Sequence, residues 1–444
     1  MLRLLLASGL ALSGTAATSA AAPLAEVEAA IARDDVAALT QALAQGGDPD
    51  AVLAYGERPL ARAVEAQDPD LVDALLRKGA KPNIADASGL TPLALACERG
   101  NPGIVLALLQ AGADARRASV AGAYPLAICA KFSTDDTVRS LLDKGAQVDS
   151  VDPHGQTPLM WAASAGKAAA VRLLLDAGAK VERVANGGFT PLMFAIAGGS
   201  LPAFQAMVAA GGDFRRRGPE NTSLLQLALY QKNWPVAQWL VEHGGDLAEL
   251  DRNGNRPLHV AAAAGQQSLV AAMLAKGADP DGATGPSRIV WVTEANFGVP
   301  PPPVPPTPPL LRAAQSGQVA VMRQLIDAGA DRTFVAADGT DILLAAAASH
   351  SPDALALALS LVAKVDVQDA NGATPLHRVL DGGVHDAQGP MLLQLARHGA
   401  RYDIPDKSGR TAVQTAMGGV LPTKTAFLQA FPDAASVAPA PASR

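Results

Sequence analysis

Apolar and polar positions along this chain recur in one frame. Pro59, Pro92, Pro125, Pro158 and Pro191 stand 33 residues apart, and two further steps of 33 reach Leu224 and Pro257. Around these positions the chain reads Thr-Pro-Leu-x-x-Ala, with a polar Asp-x-x-Gly ahead of it, as in Asp86-Ala-Ser-Gly-Leu-Thr-Pro-Leu and Asp251-Arg-Asn-Gly-Asn-Arg-Pro-Leu-His. A second apolar run then closes on Gly-Ala, as in LLRKGA at 75–80, LLQAGAD at 108–114 and MLAKGADPD at 273–281. A fixed period of this length specifies a solenoid of stacked units rather than one core.

Each part of the frame predicts an element. Thr caps a first helix through its hydroxyl, and Pro occupies the first helical position, where its missing N–H costs nothing. The Leu and Ala that follow face inward, and Ala lets the next unit approach closely. The Gly of Gly-Ala ends a second helix. The Gly of Asp-x-x-Gly supplies a left-handed turn, replaced in one unit by Asn221, which tolerates that conformation.

The period breaks between Pro257 and Pro309, which are 52 residues apart. The additional residues fall at 282–307, after the second helix has ended at Gly277-Ala278 and before Leu310 restarts the next first helix. They replace a projecting turn, with IVWV as a short strand and the proline run as polyproline II. A smaller excess falls in the inter-helix loop near Gly382 to Gly389.

Composition adds limits. A chain of 444 residues is too long for a single core, and 49% apolar content with only 4% aromatic means helices packed through Ala and Leu. A net charge of -6 gives no basic footprint, so a nucleic-acid partner is not expected. Arg3, the apolar run from Leu4 to Leu12 and the small residues up to Ala22 have the order of a cleavable export signal over 1–22, with cleavage near Ala20 to Ala22. That run is too short to span a bilayer and no later segment is apolar for long enough, so a periplasmic or secreted protein without a transmembrane segment is expected.

The repeated frame resembles the ankyrin repeat family over nearly the whole chain after residue 22. The resemblance implies a mainly α solenoid of about twelve units, each with two antiparallel helices and a β-turn or hairpin. Repeats at 23–281 are about eight, opening with an N-terminal cap over Leu24 to Asp50. About four more occupy 308–431, ending on a C-terminal cap, and 432–444 reads as a disordered tail.

Cys97 and Cys129 fall on the first helices of neighbouring units and are either a disulfide or two buried thiols replacing Ala. Helix axes 8–10 Å apart, against a Cα limit of roughly 7 Å, favour the thiols. His259 and His377 follow Pro-Leu, where the resemblance implies an imidazole bracing adjacent turns. The other histidines form no metal-ligand cluster, and His385-Asp386 is expected to be solvated. No nucleophile elbow, phosphate loop or dinucleotide fingerprint occurs, so no catalytic residue, cofactor or metal is assigned.

What remains is surface. The resemblance implies binding through turn tips and the exposed side of the first helices. There the frame places Phe132, His154, Gln156, Phe189, Tyr230, Arg252, Asn253 and Asn255, and the insertion adds Trp291 and Phe297. The reading is an exported, monomeric, non-enzymatic scaffold for a protein partner. Its alternatives are an inhibitor or immunity protein covering an envelope enzyme or toxin, and a structural or stress-protective periplasmic component.

Overall fold

A computed structural model describes residues 16–86, 89–288 and 305–436, with side chains from residue 24 onward. The described residues form 24 α-helices and three short 3₁₀ turns, with no strand beyond one isolated bridge between Pro405 and Thr411. Of the β-turn or hairpin expected in each unit, the described residues form the tight turn. In each, the backbone closes on itself four residues along, as from Asp152 N to Gln156 O at 3.1 Å and from Asp251 N to Asn255 O at 2.9 Å. The turn Asp does the rest: Asp152 Oδ1 accepts from the N–H groups of His154 and Gln156 at 2.9 and 2.8 Å. Such an Asx-type closure is why Asp recurs here and why strand pairing is not needed.

The first helices begin as the frame dictates. Thr91 and Thr157 accept from the N–H groups of Ala94 and Met160, with Pro92 and Pro158 at the first helical position. Pro158–Ser164 buries Pro158, Leu159, Met160, Ala162 and Ala163 and leaves Trp161 half-buried. The second helices end in a Schellman motif. Ala179 N donates to Leu174 O and Gly178 N to Leu175 O, while Gly178 holds a φ of 89° that only glycine adopts without strain.

The chain divides into two compact units, residues 1–224 and 225–444. In the first, the helices form two layers. Pro125–Phe132 packs between Pro92–Arg99 and Pro158–Ser164, and Asp135–Asp143 packs between Pro102–Gln110 and Ala168–Asp176. A ladder of side chains ties consecutive turns: Asp50, Asn83, Asp149 and Glu182 accept from the N–H groups of Lys81, Asp114, Lys180 and Asp213. Arg116 interrupts it, since a guanidinium cannot accept, and donates instead to Gly145 O.

In the same unit Cys97 and Cys129 form a disulfide, with Cα atoms 4.5 Å apart and both residues fully buried. The mean axis spacing of packed helices favours two thiols, but Ala94, Ala96, Ala127 and Ala130 on these two helices let the backbones come closer than average.

The second unit contains the insertion. Its base is closed by Thr284 N donating to Thr307 O and Thr307 N to Thr284 Oγ1, both within 3.1 Å. His259 Nε2 reaches the same Thr307 carbonyl at 2.8 Å. His377 makes the matching bond to Arg410 O at 3.1 Å across an ordinary spacing. The frame thus resumes as though the additional residues were absent. Gly285 N and Arg288 N donate to Gly254 O and Arg252 O, so the leading segment runs along the preceding turn tip. A Cβ on Gly254 would stand 2.1 Å from Gly285 O, which requires glycine there. IVWV, Trp291, Phe297 and the first half of the proline run, residues 300–303, lie outside the described residues.

Two expectations in this unit are corrected. Pro432–Ser436, assigned to the tail, is a 3₁₀ turn that buries Ala434 completely, because Phe427 and Phe431 give it an apolar bed. His385, expected in solvent, stacks on His350 with ring centroids 4.1 Å apart, and both its ring nitrogens are buried without a hydrogen-bond partner. Burial first, and His350 second, lower its pKa.

Candidate functional site

The fourth residues of the first helices form a stripe that is buried in some repeats and half-exposed in others. In the first unit this stripe reads Arg62, Leu95, Ile128, Trp161 and Phe194, passing from charged through aliphatic to aromatic. Leu95 and Ile128 are buried, whereas Trp161 and Phe194 are half-exposed.

Around the two aromatics the turn tips and helix ends converge. Trp161 Nε1 donates to Asp152 Oδ2 at 3.1 Å, so the carboxylate that closes the turn also fixes the indole. Lys131 Nζ lies 5.0 Å from the Phe132 ring centroid and 5.3 Å from that of Trp161, a cation held between two π faces. In the next repeat Phe189 meets Phe194 edge-on at 6.4 Å. Asn186 joins the two tips, its N–H donating to His154 O at 2.8 Å and its Nδ2 to Pro153 O at 2.9 Å. The result is a rigid, half-exposed surface of four aromatic rings and one cation. It suits recognition of an extended chain.

Four of the sequence-chosen residues, Phe132, His154, Gln156 and Phe189, belong to this surface. Phe132 and Phe189 are 45% and 43% exposed. Sequence reasoning missed Trp161 and Phe194, although the signal was available, since they stand one period apart at the same frame position. In the second unit Tyr230 is exposed at the end of Leu224–Tyr230, and Arg252 and Asn253 are exposed at a tip. Asn255 spends its amide on Asp251 Oδ2 at 3.2 Å, which makes it a turn-former. Trp291 and Phe297 lie outside the described residues. Among those residues no group of three or more His, Cys, Asp or Glu could hold a metal, and no helix is long and apolar enough to cross a membrane.

The ankyrin repeat family model matches in three copies, over residues 27–119, 126–218 and 192–283. The chain belongs to the ankyrin repeat family. A similar solved structure is the human ASB11 ankyrin repeat domain, 29% identical, covering 46% of this chain and 90% of that one at a TM-score of 0.42. No curated protein matches the chain. Ankyrin repeats are in general protein–protein interaction modules.

Proposed function

We propose that this ankyrin repeat protein is an exported, non-enzymatic scaffold that holds a polypeptide partner against the inner face of its first unit. The observation that carries the reading is the cluster of Lys131, Phe132, Trp161, Phe189 and Phe194. Large aromatic side chains are held there half-exposed by Asp152 and by one another. Rigid aromatics lose little entropy on binding and are the commonest energetic anchors of interfaces. Export is supported by the leader-like order of residues 1–22 and by the Cys97–Cys129 disulfide, which suits an oxidising compartment.

The test is site-specific photo-cross-linking in the producing cell, with the reactive group at Phe194, or at Arg172 on the outer helix Ala168–Asp176. The proposal expects a discrete protein adduct from position 194 that disappears when Trp161 is changed to Ala, and none from position 172. Adducts equal at both positions, or only at 172, would refute it.

A further inference from the structure

Arg312 occupies the fourth position of the helix Pro309–Gln315, the frame position of Trp161 and Phe194 in the first unit. Other polar side chains at this position find a partner within the chain: Arg62 pairs with Glu57 at 2.9 Å, and in two repeats the turn nine residues earlier supplies it. Asp152 accepts from Trp161 at 3.1 Å, and Asp369 pairs with Arg378 at 2.5 Å. For Arg312 the corresponding residue is Pro303, because the insertion has replaced the turn and its Asp. Arg312 is half-buried, its Nε is enclosed without a hydrogen-bond partner, and no carboxylate among the described residues pairs with it.

Among the described residues its surroundings offer no internal remedy. Asp251, on the preceding tip, acts on it only through space, since Asp251 Oδ1 is taken by the N–H groups of Asn253 and Asn255 and Oδ2 by the Asn255 amide. His259 is buried beside it with both ring nitrogens occupied. In the frame, the flanking fourth positions are Val260 and Ala345, neither of which has a polar atom. A desolvated guanidinium without a counter-charge costs stability. Charges left without compensation among the described residues are expected at functional sites.

We propose that Arg312 is a receptor for a carboxylate carried by a polypeptide bound along the inner face of the second unit. The planar guanidinium fork matches a carboxylate in two parallel hydrogen bonds, and the half-buried setting strengthens them over their value in water. The carboxylate comes from an Asp or Glu side chain or from a free C-terminus. This assignment rests on the inner face receiving polypeptide, as proposed above, but it uses none of the same residues.

The test selects displayed random 12-residue peptides with free C-termini on the full-length protein, then measures the binders as synthetic peptides. Each peptide is made with its acidic residues changed to amides, and separately with an amidated C-terminus; each is measured on wild-type, R312Q, R312M, and a Trp161→Ala, Phe194→Ala double variant. The inference expects a class of binders at least ten-fold weaker on R312Q, equally weakened by removal of one carboxylate, with no further loss when both changes are combined. Whichever peptide form loses affinity identifies the source. R312M should melt about 2–4 °C higher than wild-type, showing that lost affinity is not lost folding. Binders indifferent to Arg312, or weakened equally whether or not they carry a carboxylate, overturn the inference, and so does an R312M protein that melts lower. If those binders still need Trp161 and Phe194, the scaffold reading stands and only this assignment falls.

Discussion

His259 accepts a hydrogen bond from Arg256 N–H at 3.2 Å through Nδ1 and uses Nε2 toward Thr307 O at 2.8 Å, so its ring is neutral with the proton on Nε2. Burial is the main reason its pKa falls to about 4, with the charges of Arg312 and Arg256 adding to it, and together they outweigh the Thr307 carbonyl, which favours the proton. A histidine depressed in the folded state takes up its second proton first in the unfolded chain. Stability is therefore full above pH 6.5 and falls as pH drops toward 4. The expected loss for the second unit between pH 7.5 and 4.5 is about 2–3 kcal/mol, read from urea unfolding. His259→Gln should flatten that dependence. Gln414 already serves the same capping bond, accepting from Thr411 N at 3.0 Å, so an amide can keep the contact without titrating. An unchanged pH slope in the variant would contradict the assignment.

Helix ends show what the frame controls and where it lapses. The Gly-Ala step was legible because a left-handed residue and two returning hydrogen bonds are a local requirement, and the structure forms them at Gly79-Ala80, Gly112-Ala113, Gly178-Ala179 and Gly277-Ala278. Pro352–Leu361 ends instead on Val362 in an extended conformation, without the closing bonds. The longer loop at 382–389 follows in the next unit. Amides at 362–368 and 382–388 should exchange at least ten-fold faster than those at 177–183, measured by hydrogen exchange under native conditions. Equal protection would mean that neighbouring units, not caps, set local stability. The capping Thr-Pro and the turn Asp were legible for the same local reason. The Cys97–Cys129 approach and the convergence of Lys131, Phe132 and Trp161 were not, because they depend on how close two particular helices come. The stacking of His350 on His385 joins two loops more than 30 residues apart, which no local pattern encodes.

At the scale of the whole molecule, the frame fixes a scaffold and leaves the fourth position of each first helix free to vary. That freedom turns one repeated architecture into a particular surface. The disulfide strengthens only the unit that carries the aromatic cluster. Changing Cys97 and Cys129 together to Ala should destabilise the first unit by about 3–4 kcal/mol, as expected for a closed loop of roughly thirty residues, and leave the second unchanged. Trp161 fluorescence reports the first unit and Trp239 the second, once the other tryptophans are replaced by Phe; equal shifts at both would contradict the prediction. The claim at the centre of this account is that the inner face of the first unit holds a polypeptide partner. Its most direct test is the dissociation constant of the cross-linked partner, measured on wild-type protein and on the Phe194→Ala and Arg172→Ala variants. The account predicts about 30-fold weaker binding for Phe194→Ala, the loss typical of a buried aromatic anchor, and no change for Arg172→Ala. Undiminished affinity in Phe194→Ala, with the variant folded, would contradict it.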